Sequence, residues 1–264
     1  MKIVVCMKQV PDTTEVKIDP VTNTLIRDGV PAIINPDDKC GIEAALEIKE
    51  RVPGTTVTVV TMGIPAAESA LREALAMGCD EAVLLTDRKL AGADTWATSC
   101  AVAGAVQKLG ADLVICGRQA IDGDTAQVGP QIAEKLHLPQ VSYVADFTFD
   151  GKTVTCKRML EDGYMTVKVQ TPCLLTCIKE LNTPRYMSVK GINEFDSKPY
   201  TVLDYNALKD DPLIEADTIG IKGSPTNVYK SFTPPQKGAC QMLEGSGKET
   251  VDELFGILTK KHII

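Results

Sequence analysis

A polar, glycine-containing segment of the chain reads Gly117-Arg118-Gln119-Ala120-Ile121-Asp122-Gly123-Asp124-Thr125-Ala126-Gln127-Val128-Gly129-Pro130. The apolar run 112–116 before it predicts a buried parallel strand, and the pattern over 125–136 predicts a helix. Open α/β sheets bind their ligands at the carboxyl ends of strands, in loops of this kind. A helix N-terminus also presents free N–H groups and partial positive charge to a phosphate. The segment therefore predicts both a fold class and the place of a ligand site.

The rest of the first 145 residues alternates strand and helix patterns in the same way. This alternation predicts an α/β fold with an open, mostly parallel, Rossmann-like sheet and helices on both faces. Asn35 is expected to cap the first helix, with Pro36 at its first position. The predicted strands are Lys2–Met7, Thr56–Thr61, Glu81–Thr86, Asp112–Cys116 and Val141–Phe147, and the predicted helices are Pro36–Glu50, Ala66–Met77, Thr95–Leu109 and Thr125–Leu136.

The pattern changes after residue 147. Alternating polar and apolar residues predict an added antiparallel hairpin within 152–178, and a buried strand follows it. Residues 182–249 contain six prolines and little helical periodicity, and a last helix is predicted over 249–260. We therefore expect two units: an α/β domain over 1–181 that includes the hairpin, and a C-terminal arm over 182–264 that packs on a partner. A short hairpin over 16–26 is also predicted.

The composition, with 44% hydrophobic and 24% charged residues, is that of an ordinary globular protein. The net charge of −7 argues against binding to nucleic acid or to an anionic membrane, and the apolar runs are far shorter than the roughly 20 residues of a membrane span. Nine cysteines are scattered without a Cys-x-x-Cys spacing, and the two histidines are far apart in sequence. This distribution predicts reduced thiols in a cytoplasmic protein and no metal site.

The loop 117–130 carries neither of the two common phosphate-binding patterns. It has no Gly-Lys-Ser/Thr, hence no lysine for a γ-phosphate and no magnesium ligand, and it has no Gly-x-Gly-x-x-Gly. Asp122 and Asp124 would repel a phosphate, so we interpret them as turn formers or as acceptors for ribose hydroxyls. Backbone N–H groups and Thr125 would receive phosphate oxygens, with Arg118 supplying positive charge. The loop favours a nucleotide-like ligand without magnesium over an ordinary strand–helix connection.

A second polar stretch opens the third predicted helix and reads Gly92-Ala93-Asp94-Thr95-Trp96-Ala97-Thr98-Ser99. An N-cap at Asp94 or Thr95 accounts for most of this stretch without any ligand. The alternative is that the hydroxyl groups of Thr95, Thr98 and Ser99 face a cofactor.

Other polar segments are predicted at the same edge of the sheet. They follow strands or open the first helix, and they are Cys6–Lys8, Asn35–Asp38 and Thr61–Gly63. Because the carboxyl ends of parallel strands meet at one edge, these segments converge with the loop 117–130 on one crevice. No acid–base pair or nucleophile can be assigned among them. That pattern favours binding or electron transfer over bond-making catalysis.

Over essentially its whole length the sequence resembles the β subunit of electron-transfer flavoproteins. The loop 117–130 is the most specific of the matching segments, and the others are Val4–Pro11, Ile34–Pro36, Arg158–Thr176 and Asn182–Tyr186. Four segments are similar to the anaerobic, electron-bifurcating branch of that family: Lys8–Thr13, Gly92–Thr95, Gly223–Thr226 and Lys230–Thr233.

The resemblance implies an adenine-nucleotide-hydrolase-like sheet and a heterodimer with a homologous α subunit that carries a shuttling FAD. In the bifurcating branch the β crevice holds a second FAD, and in other members it holds AMP. Carried over by position, the nucleotide contacts fall on Cys6, Asn35, Asp37, Asp38, Met62 and all residues from Gly117 to Val128, while Asp94, Thr95 and Thr98 face the rest of the flavin nucleotide. Residues Arg185, Tyr186 and Val189 would dock a dehydrogenase. The hairpin lacks the glutamate that the family carries near Met165.

The activity implied by the resemblance is electronic. NADH would give a hydride to the FAD of this subunit; one electron would go to ferredoxin or flavodoxin, and the other through the α-subunit FAD to a flavin dehydrogenase of the acyl-CoA or 2-hydroxy-acid type. The chain would be a non-autonomous subunit of an NADH-oxidising complex. Three alternatives stay open: a non-bifurcating carrier that holds AMP, a stand-alone adenine-nucleotide-binding regulator, and a nicotinamide dehydrogenase, which the missing glycine pattern disfavours.

Overall fold

A parallel β-sheet forms the centre of the fold. The computed structural model describes residues 1–12, 31–230, 238 and 240–264, so the hairpin predicted over 16–26 and most of the segment 230–233 lie outside the described residues. The strands are β1 Lys2–Cys6, β2 Gln9–Pro11, β3 Ala32–Ile34, β4 Thr56–Met62, β5 Glu81–Leu85, β6 Leu113–Gly117, β7 Gln140–Phe149, β8 Thr153–Met159, β9 Tyr164–Gln170, β10 Cys173–Cys177 and β11 Tyr200–Leu203. The α-helices are α1 Pro36–Arg51, α2 Glu68–Met77, α3 Thr95–Leu109, α4 Val128–Lys135, α5 Val189–Glu194, α6 Tyr205–Leu208 and α7 Gly247–Lys260, and single 3₁₀ turns lie at Pro65–Ala67, Arg88–Leu90 and Phe195–Ser197.

The main sheet has the order β11-β5-β4-β1-β6-β10-β7-β8-β9. All pairs from β11 to β7 are parallel, while β7, β8 and β9 form an antiparallel meander at one edge. Strands β2 and β3 make a separate antiparallel pair. The predicted open, mostly parallel α/β sheet with an added hairpin is confirmed.

Two apolar layers cover the two faces of the sheet. Along β1, Ile3 and Val5 face the layer formed with α1 and α2, whereas Val4 and Cys6 face the layer formed with α3 and α4. Both faces are therefore buried, which explains why the central strands have continuous apolar sequences rather than alternating ones. No helix in the described part of the chain is long and apolar enough to cross a membrane.

The helix that follows the loop 117–127 begins at Val128, three residues later than the sequence predicts. Asp124 and Ala126 both have φ of +52°, in the left-handed region. Residues in that conformation cannot belong to an α-helix, so the prediction of a helix from Thr125 is wrong at its start. The helix Thr95–Leu109, in contrast, has the predicted bounds.

The segment that follows residue 181 adds a strand to the sheet. Strand β11 pairs in parallel with β5 at the edge. Downstream, Leu208, Ile214 and Ile219 are buried in the apolar layer of α3 and α4. The α/β unit thus includes residues 200–219, which the sequence assigned to the arm over 182–264. These apolar residues are spaced irregularly along the chain, so they gave no helical or strand periodicity.

Candidate functional site

The predicted site residues meet where the connectivity of the sheet changes direction. Strands β1 and β6 are neighbours, with Cys6 opposite Cys116. The chain leaves β1 towards α1 on one face and leaves β6 towards α4 on the other, as the two apolar layers require. Ligand crevices of open α/β sheets form at such a switch point. Gly117 ends β6 and Met62 ends β4, half-buried, at this same edge.

The side chain of Asp38 bridges the ends of β1 and β6. Its Oδ2 accepts from the backbone N–H of Lys8 at 2.7 Å, and its Oδ1 accepts from that of Gly117 at 2.8 Å. Burial raises the pKa of Asp38 to about 7, although these hydrogen bonds favour the charged form. Asp38 therefore holds the floor of the crevice. A Cβ at Gly117 would lie 2.2 Å from Asp38 Oδ1, so only glycine fits there.

Asn35 holds the loop 117–127 from the side of α1. Its Nδ2 donates to the carbonyl of Gln119 at 2.8 Å, and its Oδ1 accepts from the N–H of Ile121 at 3.1 Å. Asn35 stands at the N-cap position of α1, but its side chain makes no cap hydrogen bond. The predicted capping role is therefore wrong, because a buried amide that bridges two segments satisfies its donor and its acceptor at once.

The two acidic residues of the loop have partners within the protein. Lys8 Nζ lies 2.6 Å from Asp122 Oδ1, and the Asp122 side chain is only 7% exposed. Gln119 donates to the carboxylate of Asp124. The ion pair compensates the charge of Asp122, and the amide of Gln119 satisfies an oxygen of Asp124, so the repulsion that two free carboxylates would exert on a phosphate is reduced. Sequence reasoning missed the role of Lys8, although a lysine directly after the first strand opposite an acidic loop was an available signal.

The tip of the loop leaves backbone donors free. No acceptor within the described ranges takes the N–H of Thr125, Ala126 or Gln127. The left-handed conformations of Asp124 and Ala126 turn successive peptide groups, and such turns can form concave anion-binding surfaces. This tip is the part of the crevice best suited to a phosphate.

Arg118 adds positive charge beside these donors. Its Nε lies 3.4 Å from Asp37 Oδ2, yet neither atom has a hydrogen-bond partner among the described residues. Burial raises the pKa of Asp37, while the nearby Arg118 opposes that rise. The guanidinium also lies 5.7 Å from the centre of the Tyr143 ring, a neighbour that the sequence did not reveal. Arg118 and Asp37 are thus in place for a polar ligand that supplies the missing partners.

The start of α3 forms the opposite wall. Asp94 caps the helix through the N–H of Ala97 at 3.0 Å, which confirms one of the two caps considered from the sequence. The second oxygen of Asp94 accepts from the N–H and hydroxyl of Thr226, at 3.0 and 2.8 Å. Thr95 donates to Gln127 Oε1 at 2.8 Å and so joins this wall to the loop, while Thr98 is half-buried in the first turn.

The three predicted docking residues play different parts. Arg185 is bound to α1, since its guanidinium pairs with Glu43 at 2.8 Å and with Glu50 at 2.5 Å, and its backbone N–H donates to Glu43. These bonds raise the pKa of Arg185. Tyr186 and Val189 lie beyond this anchor and are 94% and 78% exposed. Arg185 therefore fixes the segment, and the two apolar side chains project from it.

Two thiols lie side by side at the floor of the crevice. Cys6 is half-buried at the end of β1, and Cys116 is buried opposite it on β6. A hydrogen bond with the Cys6 thiol, together with burial, raises the pKa of Cys116.

The fold and the site together define an α/β protein with a cluster of polar loops at the switch point of its sheet. The family model described as "Electron transfer flavoprotein domain" matches residues 22–208. The chain is 57% identical, over the full length of both, to "Acryloyl-CoA reductase electron transfer subunit gamma" of Anaerotignum propionicum. It is 54% identical to "Caffeyl-CoA reductase-Etf complex subunit CarD" of Acetobacterium woodii and 55% identical to "Electron transfer flavoprotein subunit beta" of Thermoanaerobacterium thermosaccharolyticum, again over full lengths. The chain belongs to the electron transfer flavoprotein family, as a β subunit.

Proposed function

We propose that this β subunit binds FAD in the switch-point crevice and takes a hydride from NADH. One electron would then go to ferredoxin or flavodoxin, and the other would pass through the FAD of an α subunit to a partner flavin dehydrogenase. In this proposal the chain works as a non-autonomous subunit in the cytoplasm, where its free cysteines would stay reduced. Support comes from relatives whose names place them as electron transfer subunits of CoA reductases.

The observation that carries the proposal is that the loop 117–127 is held in place by other residues of the chain while its tip keeps unpaired backbone donors. Asn35 fixes the loop, Lys8 forms an ion pair with Asp122, and Gln119 donates a hydrogen bond to Asp124. The N–H groups at the tip have no acceptor among the described residues. A preorganised set of donors beside an arginine suits the phosphates of a dinucleotide. The tip N–H groups and Arg118 would hold the phosphates.

Two buried atoms, Arg118 Nε and Asp37 Oδ2, test whether these residues fit FAD. Neither atom has a hydrogen-bond partner among the described residues, and a polar ligand would supply one to each. FAD would supply two-electron and one-electron redox chemistry, and the residues of this chain bind and orient it. Gly117 permits close backbone packing at the floor, and the start of α3, with Thr95 and Thr98, would cover the part of the cofactor beyond the phosphates.

Two surfaces suit the proposed partners. The helix α7 has no buried residue, although Val251, Leu254 and Phe255 are exposed on it, so we propose that it packs on the α subunit. The pair Tyr186 and Val189 would dock the dehydrogenase. The names of the CoA reductase relatives favour an acyl-CoA type over a 2-hydroxy-acid type.

The test is a cofactor count on the complex of this chain with its α subunit. After denaturation, chromatography would quantify FAD and AMP per heterodimer. Two FAD and no AMP are expected; one FAD with one AMP would overturn the proposal in favour of the alternative, a non-bifurcating carrier. A stable, flavin-free monomer that ignores the α subunit would favour a nucleotide-binding regulator.

A matched pair of variants locates the second FAD. Arg118→Ala is expected to lower FAD from two to one per heterodimer, since the arginine of the crevice is lost. Arg51→Ala removes an arginine that is 69% exposed and, within the described ranges, paired only with Glu47, so both FAD molecules should remain. Equal FAD content in the two variants would place the second FAD elsewhere.

A further inference from the structure

The strand register brings Cys6 and Cys116 within the Cα separation that disulfides span. They are direct partners in adjacent parallel strands, and both lie in the apolar layer of α3 and α4. Neighbouring strands are about 4.8 Å apart, and disulfides span Cα separations of about 4.4–6.8 Å. Within the described strands no other two cysteines are register partners.

The two thiols differ in access. Cys6 is half-buried at the strand end, where the crevice opens. Cys116 is only 5% exposed and lies under the start of α4, since a Cβ at Gly129 would be 3.8 Å from its Sγ. The raised pKa of Cys116 keeps its thiol protonated. A reagent from the crevice therefore reaches Cys6 first, and Cys116 is the second thiol in reach.

We propose that Cys6 and Cys116 are a peroxide-sensitive thiol pair that closes to a disulfide when the crevice is empty. The Cys6 thiolate attacks one oxygen of hydrogen peroxide, giving a sulfenic acid and hydroxide, which takes up a proton. The Cys116 sulfur then attacks the Cys6 sulfur, the S–O bond breaks, and water leaves with the Cys116 proton. Two thiols lose two electrons and two protons, and one peroxide becomes two waters.

The disulfide would be readily reduced and would alter the crevice. Side chains of directly opposed parallel residues run side by side, which differs from the preferred disulfide geometry, and such bonds are the labile ones. Because the pair lies at the floor, we expect bound nucleotide to protect Cys6 and the closed disulfide to weaken nucleotide binding. This link rests on the proposed function, whereas the disulfide itself does not.

The test uses the full chain with Cys240→Ser, which removes the exposed thiol. The protein is treated with hydrogen peroxide, with and without saturating AMP, and digested without reduction for mass spectrometry. The expected product is a peptide pair joined through Cys6 and Cys116, lost on treatment with dithiothreitol and formed at least tenfold more slowly with AMP.

Two variants and the possible outcomes distinguish the proposed thiol pair from its proposed link to nucleotide binding. Cys116→Ser should leave a sulfenic acid on Cys6 that dimedone traps, and Cys6→Ser should leave Cys116 unmodified. Oxidation of Cys6 to sulfinic acid with Cys116 still free would overturn the thiol pair. Equal disulfide formation with AMP bound, as verified by calorimetry, would overturn the link to the crevice. Failure of AMP to bind counts against the proposed function alone, since the disulfide is also measured without nucleotide.

Discussion

The crevice loop 117–127 and the projecting segment 185–192 differ in which of their side chains have partners inside the protein. In the loop, both acidic side chains have partners inside the protein, whereas the backbone N–H groups of the tip and Arg118 Nε have none among the described residues. In the segment, Arg185 is bound to α1, and the apolar side chains of Tyr186 and Val189 face outwards. This difference is what the proposed function predicts, because a small-ligand site gains from being completed by its own chain before binding, whereas a docking surface needs exposed apolar groups for its partner.

Among substitutions compared at a single pH, the largest effect is expected at the floor of the crevice, with Gly117→Ala. The new Cβ would lie 2.2 Å from Asp38 Oδ1 and 2.7 Å from its backbone N, so the bridge between β1 and β6 must open. We expect a loss of about 3 kcal/mol in the free energy of unfolding, measured by urea denaturation. The control is Gly123→Ala in the same loop, where a Cβ meets nothing within 4 Å. Equal losses in both variants would show that the loop is not fixed at its base.

The second-largest loss of stability among these substitutions is expected when the arginine that anchors the projecting segment is removed. Arg185→Ala would leave the buried carboxylate of Glu43 without its ion-pair partner. Partial exposure of the arginine limits the loss, and we expect about 2 kcal/mol in urea denaturation. Tyr186→Ser, one residue along, should change stability by less than about 0.5 kcal/mol yet weaken electron transfer to the dehydrogenase. A stability loss in Tyr186→Ser as large as that in Arg185→Ala would erase the distinction between anchor and docking side chain.

The pH dependence of the free energy of unfolding tests the role of Asp38 at the floor of the crevice. Because its pKa is about 7 in the folded protein and near the ordinary value of 3.8 in the unfolded chain, the folded protein holds a proton that the unfolded chain releases between these pH values. The stabilisation is complete below about pH 4 and is lost as pH rises to about 7, with a slope of up to about 1.4 kcal/mol per pH unit. Asp38→Asn should lack this slope when denaturation is measured from about pH 4 to about pH 8. Parallel pH profiles for the two proteins would contradict the assignment.

The smallest effect is expected on AMP affinity, when the ion pair of Lys8 with Asp122 is removed. Lys8→Met leaves Asp122 without its cation, so the carboxylate would oppose a nearby phosphate. We expect AMP affinity, measured by calorimetry, to fall about tenfold, which corresponds to about 1.4 kcal/mol. Lys190→Met removes a lysine that is 80% exposed and should leave the affinity unchanged. Unchanged affinity in Lys8→Met would mean that Asp122 does not face the bound phosphate.

Much of the fold was predictable because its signals are local. The apolar run 113–116 and the cap at Asp94 before α3 are properties of short stretches, and the structure confirms the strand and the helix that they predict. The start of α4 was not predictable in the same way. Asp124 and Ala126 take left-handed conformations in a loop that Asn35 holds from 84 positions away, and a contact over that distance has no local signal.

Sequence patterns alone were enough to establish the parallel sheet, its edge of polar loops and the family. The folded chain was needed to show which of the predicted site side chains hold the fold together. Asp38 and Asn35 were predicted to contact a nucleotide, but their polar atoms bind the backbone of segments tens of residues away. Lys8 and Asp122 are 114 positions apart, and Arg185 and Glu43 are 142 apart. Periodicity reports neighbours along the chain, whereas such pairs form only when packing of the sheet brings distant segments within hydrogen-bond distance.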